Sequence, residues 1–453
     1  MLVLRRASIL LGQDYGLFAH LYAVTSIGLA LTLLGLHGTV MRYLAICSAR
    51  DARATALRIL LHAARLRGAL IVVIGIGLWF YLSSNPAQWN QVTIGHVCLF
   101  FALQGFLLLQ HAALQGLGLY PWMAIGSACL FFGMTVRATD LASLFRMLSV
   151  GYGSSLVVNG VVFIFYFLKR SAHDPNLGEK VDGSHLNKFS LTLSVAGLCI
   201  MIADNSPIVL LKEFSSPEVF SVLALAFNLA LYPSRVNALS EPLILPEVSE
   251  AWHVGGNAQA GQHFSSWVSI LHLMGPLLMI PIVLGIGPFI RYFFAPELEG
   301  AVFFAMILIL ANVARVTSPI LVSVLVGGGR PGLSALCSAI KMVIDIGLIL
   351  LLRGNSPEIL VVALTCSWVV YINLLTIFAR QQLLLPWKLD WFVTLFVLVS
   401  VATLFTGLAV PLLTAVWFVV LGVAIARGTV LLRSKGHLSH AEDQQHRVSH
   451  SVD

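Results

Sequence analysis

Stretches of about 20 residues with almost no charge recur along nearly the whole sequence, separated by short links that carry Arg, Lys, Pro or Gly. A hydrocarbon layer ~30 Å thick is crossed by about 20 apolar residues in a helix. Inside it every backbone N–H and C=O must be satisfied within the segment, which favours helices. The chain is therefore expected to be an all-α polytopic membrane protein. Its composition fits: of 453 residues 58% are hydrophobic and 10% charged, where soluble domains carry about 25% charged residues, and the mean hydropathy is +0.89. These values exclude a soluble enzyme, a nucleic-acid module and a disordered scaffold, so no nucleic-acid partner is expected.

About thirteen spans are predicted, at 15–43, 68–83, 93–115, 120–136, 144–168, 189–211, 219–239, 267–294, 301–326, 333–352, 359–377, 391–408 and 410–432. Residues 1–11, with Arg5 and Arg6, are too short to cross a membrane and read as a shortened first helix. The expected organisation is an N-terminal lobe at 1–168, a cytoplasmic inter-lobe loop at 169–188, a C-terminal lobe at 189–379, an accessory helix pair at 380–432 and a disordered cytoplasmic tail at 433–453. Lys and Arg fall unevenly on the two sides, roughly sixteen against five, and the positive-inside rule puts the 169–188 loop and the tail in the cytoplasm. The net charge of +7 then reflects topology more than ligand chemistry. The longer water-exposed stretches, 45–67, 169–188 and about 240–266, all fall on that side, and the outer loops are too short for sugar chemistry. A transporter is favoured over a membrane enzyme.

Motifs for covalent chemistry are missing. The sequence has no G-x-x-x-x-G-K-[ST] loop, no H-E-x-x-H and no G-x-S-x-G elbow. The six cysteines have no C-x-x-C spacing and read as core or lipid-facing residues, and the His-rich tail reads as solvated. No metal, cofactor or enzymatic activity is expected.

The chain resembles itself at an offset of about 202–211 residues. Residues 114–129 (LQGLGLYPWMAIGSAC) align with 325–340 (LVGGGRPGLSALCSAI), and residues 13–18 with 215–220. With the stub counted as a helix, each unit holds six helices, so both repeats point the same way and form two lobes around a central cavity.

The opening Leu10-Leu11-Gly12-Gln13-Asp14-Tyr15-Gly16-Leu17-Phe18, with Leu34-Gly35 and Arg42-Tyr43-Leu44-Ala45, resembles the first hairpin of Wzx-like polysaccharide-biosynthesis flippases. These belong to the multidrug/oligosaccharidyl-lipid/polysaccharide exporter superfamily. The likeness continues at Pro233, Pro242, Pro246, Ala251 and Trp252, and at Gly327-Gly328-Gly329-Arg330-Pro331, similar to that family's GRP link. It implies fourteen helices in the bacterial inner membrane and alternating access for an O-antigen or other polysaccharide precursor. The implied partners are a polyprenyl-diphosphate-linked glycan, membrane lipids and polysaccharide-assembly membrane proteins. Two alternatives stay open: export of a drug or small amphiphile, and a polysaccharide polymerase or ligase.

A charge at mid-bilayer costs ~2.5–3.5 kcal/mol, so each one in a span needs a reason. Arg42, Arg235, Arg315 and Lys341 are candidates for holding the substrate diphosphate, since a guanidinium matches phosphate oxygens two at a time. Asp204, Glu241 and Asp345 are candidates for ion coupling or for internal ion pairs, and Lys341 and Asp345 share one helix face at i,i+4. In the lipid II flippase branch a cation site lies between helices seven and eleven, which here carry Asp204 and Asp345. Lys341, one turn before Asp345, departs from that pattern: its ammonium is expected in the place of a sodium ion, which favours a fixed ion pair, or one that opens when a proton arrives, over sodium coupling.

Overall fold

The computed structural model describes residues 2–33, 53–84, 89–168, 183–238, 241–328, 330–386 and 388–405, with a few single positions outside these ranges. Among them, nine helices are long and apolar enough to cross a membrane, and the regular structure is entirely helical. Large apolar side chains face outward from these helices, including Phe80 (70% exposed) and Leu351 (79%). Such faces are stable where lipid is the solvent.

The first lobe comprises α1 (Leu2–Leu11), α2 (Tyr15–Leu33), α3 (Arg53–Ser83), α4 (Gln91–Gly116), α5 (Tyr120–Ala128) and α6 (Leu141–Leu168). The second comprises α7 (Gly183–Leu211), α8 (Pro217–Ala238), α9 (Glu241–Phe293), α10 (Ala301–Arg315), α11 (Ser318–Gly327), α12 (Pro331–Leu351) and α13 (Pro357–Gln382); α14 (Trp391–Phe405) leans on α10 and α13. With no hydrophobic drive between helices in lipid, close packing depends on small residues. The 3-10 helix Cys129–Thr135 crosses α6 so tightly that a Cβ on Gly133 would lie 2.3 Å from the Met147 carbonyl oxygen.

The internal repeat is visible in hydrogen bonds. After α4, the Leu117 N–H donates to Ala113 O (3.0 Å) and the Leu119 N–H to Leu114 O (2.8 Å). At positions 211 residues later, after α11, the Gly328 N–H donates to Val324 O (3.0 Å) and the Arg330 N–H to Leu325 O (2.8 Å). The same tight link therefore closes a span in each lobe.

The lobes meet along α2, which packs on α7 and α8. The Gly16 N–H donates to Ser221 Oγ (2.9 Å), and a Cβ at Gly16 would fall 2.5 Å from the Phe220 ring. The Asn228 amide donates to the Tyr15 hydroxyl (3.2 Å), and the Lys212 ammonium lies 5.0 Å from the Trp89 ring centroid. These contacts form a seam at the end carrying the α3–α4 and α7–α8 links.

Several elements depart from the sequence expectation. Residues 53–67, placed outside the predicted 68–83 span, continue α3 as one helix. Residues 241–266, read as exposed, belong to α9, which breaks at Gly256 (φ 64°, ψ −159°), a backbone conformation that needs glycine. The 120–136 span is a short α-helix followed by a 3-10 helix, and the 301–326 span is two helices. The predicted 410–432 helix and the tail lie outside the described residues.

Candidate functional site

Two prolines shape the centre of the second lobe. Pro319 has no N–H for the carbonyl of Arg315 four residues earlier, so the span divides into α10 and α11 directly after Arg315. The Ser318 hydroxyl donates to that freed carbonyl instead (2.8 Å). On α7, Pro207 likewise has no N–H for Ala203 O, and the Ser206 hydroxyl donates to it (3.3 Å). A Ser-Pro pair thus follows each of Asp204 and Arg315, and both helices are loosened beside their charged residue.

Those two residues form an ion pair, with an Arg315 terminal nitrogen 2.8 Å from Asp204 Oδ2. The Arg315 guanidinium carbon sits 3.8 Å from the centroid of the Trp368 indole on α13, and Lys341 Nζ on α12 sits 3.9 Å from the same centroid. Lys341 pairs with Asp345 one turn along α12, and the Ser367 hydroxyl donates to the other Asp345 oxygen. Four helices therefore contribute one connected network of two cations, two carboxylates and an indole.

The network lines a narrow cleft whose cavity volume, about 40 Å³, is far below the ~300–1,000 Å³ usual for small-ligand sites, so the paired side chains nearly fill it. Access differs between the pairs. The Arg315 and Asp204 side chains are 14% and 11% exposed, whereas those of Lys341 and Asp345 are 1% and 3% exposed. A ligand entering the cleft meets Arg315 first. Asn312, one turn before Arg315, donates to Ala230 O on α8 (2.9 Å) and to Leu308 O (3.0 Å). Its own Oδ1 is buried against the cleft without a hydrogen-bond partner among the described residues.

Of the sequence candidates, the structure brings Asp204, Arg315, Lys341 and Asp345 together. Arg42 lies outside the described residues; Arg235 lies on α8 and Glu241 begins α9, with side chains outside those described. Two residues were missed. Trp368 is one of many aromatic residues in this lobe, and nothing in the sequence distinguishes it as the one that two cations share. Arg67 was counted among the exposed arginines, yet it is fully buried on α3, and none of its three guanidinium nitrogens has a hydrogen-bond partner among the described residues. Its neighbours at helical spacing offered the signal: Ala56, Ala63 and Arg67 are the buried positions of that stretch, while Arg58 and Arg65 face out.

Fold and site together define a polytopic helical membrane protein with two repeat-related lobes and a charged cleft in the second. No protein-family model matches the sequence, and no curated protein matches it. Among solved structures, the fold is similar to the inward-facing conformation of a multidrug resistance MATE family transporter of the MOP superfamily. The TM-score is 0.60 at 14% identity, over 84% of this chain and 93% of that one.

Proposed function

We propose that the protein is a membrane exporter that carries a lipid-linked oligosaccharide or polysaccharide precursor across the bacterial inner membrane by alternating access, with no covalent chemistry. The observation that carries this reading is the pairing of Arg315 and Lys341 over one indole in a cleft. In the cleft the carboxylates of Asp204 and Asp345 hold these cations. An entering diphosphate competes for the same donors, and the planar guanidinium of Arg315 suits it because two N–H groups reach two oxygens at once.

Export of a cationic drug is less well supported. Trp368 is already covered by two cations and both carboxylates are engaged, so a third cation would have to displace Arg315 or Lys341 to reach that indole or either carboxylate. The Lys341 ammonium against Asp345 also supports transport without sodium.

Deletion of the gene in its native host tests this reading, with accumulation of lipid-linked oligosaccharide in the inner leaflet as the expected result. Complementation with Arg315→Lys should restore transport only weakly, because a point charge replaces a planar fork, and Arg315→Ala should restore less with normal protein in the membrane. No accumulation on deletion, or full activity of both variants, would overturn the assignment.

A further inference from the structure

At the end of the second lobe opposite the seam, α9, the α10–α11 junction, α13 and the start of α14 line a separate, partly open cavity of about 280 Å³. Its inner wall is apolar, formed by Phe264, Val268 and Leu321. The Asp390 carboxylate in its rim is already matched. His272 Nε2 lies 2.8 Å from Asp390 Oδ2, the His272 ring rests on Phe392 with centroids 4.8 Å apart, and Asp390 is 8% exposed.

Two cations line the same cavity. Arg380 uses Nε to donate to Pro386 O (2.9 Å), which fixes the guanidinium and does not occupy its terminal nitrogens. Lys388 is exposed on the α13–α14 link. The link joins the end of one span at Gln382 to an aromatic pair, Trp391 and Phe392, that begins the next helix. Aromatic residues at such positions mark the level of the lipid headgroups.

We propose that this cavity binds an anionic glycerophospholipid from the adjacent leaflet, its phosphate between Arg380 and Lys388 and its upper acyl region along Phe264, Val268 and Leu321. The ligand class follows from complementarity. An apolar wall selects a molecule with a hydrocarbon body, and two cations beside an already paired carboxylate select a negative head. The site is distinct from the charged cleft, so the bound lipid holds α14 against α9 and α13 and is not the transported substrate.

The test uses the full chain purified in detergent, with melting temperature followed as phosphatidylglycerol, phosphatidylcholine of the same acyl chains, or inorganic phosphate is added. Phosphatidylglycerol should raise the melting temperature by several degrees, while the other two leave it unchanged. Its apparent affinity should fall about fivefold in Lys388→Gln and about 25-fold in Arg380→Gln/Lys388→Gln, the equivalent of ~1 kcal/mol for each basic side chain near an anionic surface. Equal stabilisation by both lipids would make the cavity merely apolar, and stabilisation by inorganic phosphate would make it a site for free anions. Either result overturns the proposal, as does unchanged affinity in the variants. Should the double variant fail to fold, Lys388→Glu alters only an exposed side chain and should abolish the phosphatidylglycerol shift; a retained shift is equally decisive against the site. None of these measurements depends on which substrate is exported.

Discussion

Lys341 and Asp345 are almost completely sealed from solvent, so each carries a desolvation cost that the other, with Ser367 and Trp368, helps to offset. Removing one member of such a pair leaves an uncompensated buried charge and costs ~3–5 kcal/mol. Lys341→Ala is therefore expected to melt well below the wild type in detergent, equally with and without sodium, and wild-type transport should be the same in sodium and potassium media. A sodium-dependent rescue of Lys341→Ala would show that the carboxylates form a cation site once the lysine is gone. Arg67 presents the opposite case. Its buried guanidinium has no hydrogen-bond partner among the described residues, and taking a charge out of water costs several kcal/mol where no partner offsets it. Arg67→Met should raise the melting temperature while lowering transport, the pattern of a residue kept for activity at the expense of stability. A melting temperature at or below that of the wild type would show that the guanidinium is compensated in the fold.

At the scale of helices, the two lobes repeat the same links but not the same chemistry. Positions 211 residues before Arg315, Lys341, Asp345 and Trp368 hold Gln104, Leu130, Met134 and Val157, so the charge network belongs to the second lobe alone. The break between α10 and α11 is equally one-sided. Its counterpart α4 runs unbroken from Gln91 to Gly116, because Leu108 stands where Pro319 does and keeps its N–H. Pro319→Ala should join α10 to α11, slow amide hydrogen exchange around residues 315–321 and reduce transport, since discontinuous spans in transporters lie where the site must move. Unchanged exchange there would place the cause of the break elsewhere. Long apolar spans such as α4, α6 and α12 were legible in the sequence to within a few residues, as a run of that length has few alternatives in a bilayer. The extension of α3 back to Arg53 was not legible, because several arginines in succession look like a solvated loop unless the alternation of buried Ala56, Ala63 and Arg67 with exposed Arg58 and Arg65 is known. The four charges of the cleft were legible as costly residues, Lys341 and Asp345 as a pair on one helix face, and Asp204 as their neighbour through the resemblance, but the pairing of Arg315 with Asp204 was not. Asp204 lies 111 positions from Arg315, and only the packing of α7, α10, α12 and α13 brings them together.

For the molecule as a whole, the described lobe-to-lobe contacts gather at one end. The start of α2 meets the start of α8 at Gly16 and Ser221, Lys212 covers Trp89, and Arg5 on α1 lies 5.2 Å from the Phe293 ring centroid at the end of α9. An alternating-access cycle requires this seam to part, and which face of the membrane it closes depends on orientation. The argument for orientation is electrostatic. Lys and Arg near span ends remain on the cytoplasmic side during insertion, and about sixteen of them fall on the side of the α13–α14 link and the C-terminal tail against about seven on the side of the seam, Arg5 and Arg6 included. The seam should therefore face outward, closing the cleft from the periplasm. Alkaline phosphatase, active only outside the cytoplasm, reads this directly. A fusion after residue 432 should be inactive and one after Lys212, in the α7–α8 link, should be active, with a cytoplasmic reporter at the same two points giving the reverse. Strong phosphatase activity after residue 432 would invert the molecule, put the seam on the cytoplasmic face, and require the positive charges around 45–67 and 169–188 to have crossed the membrane.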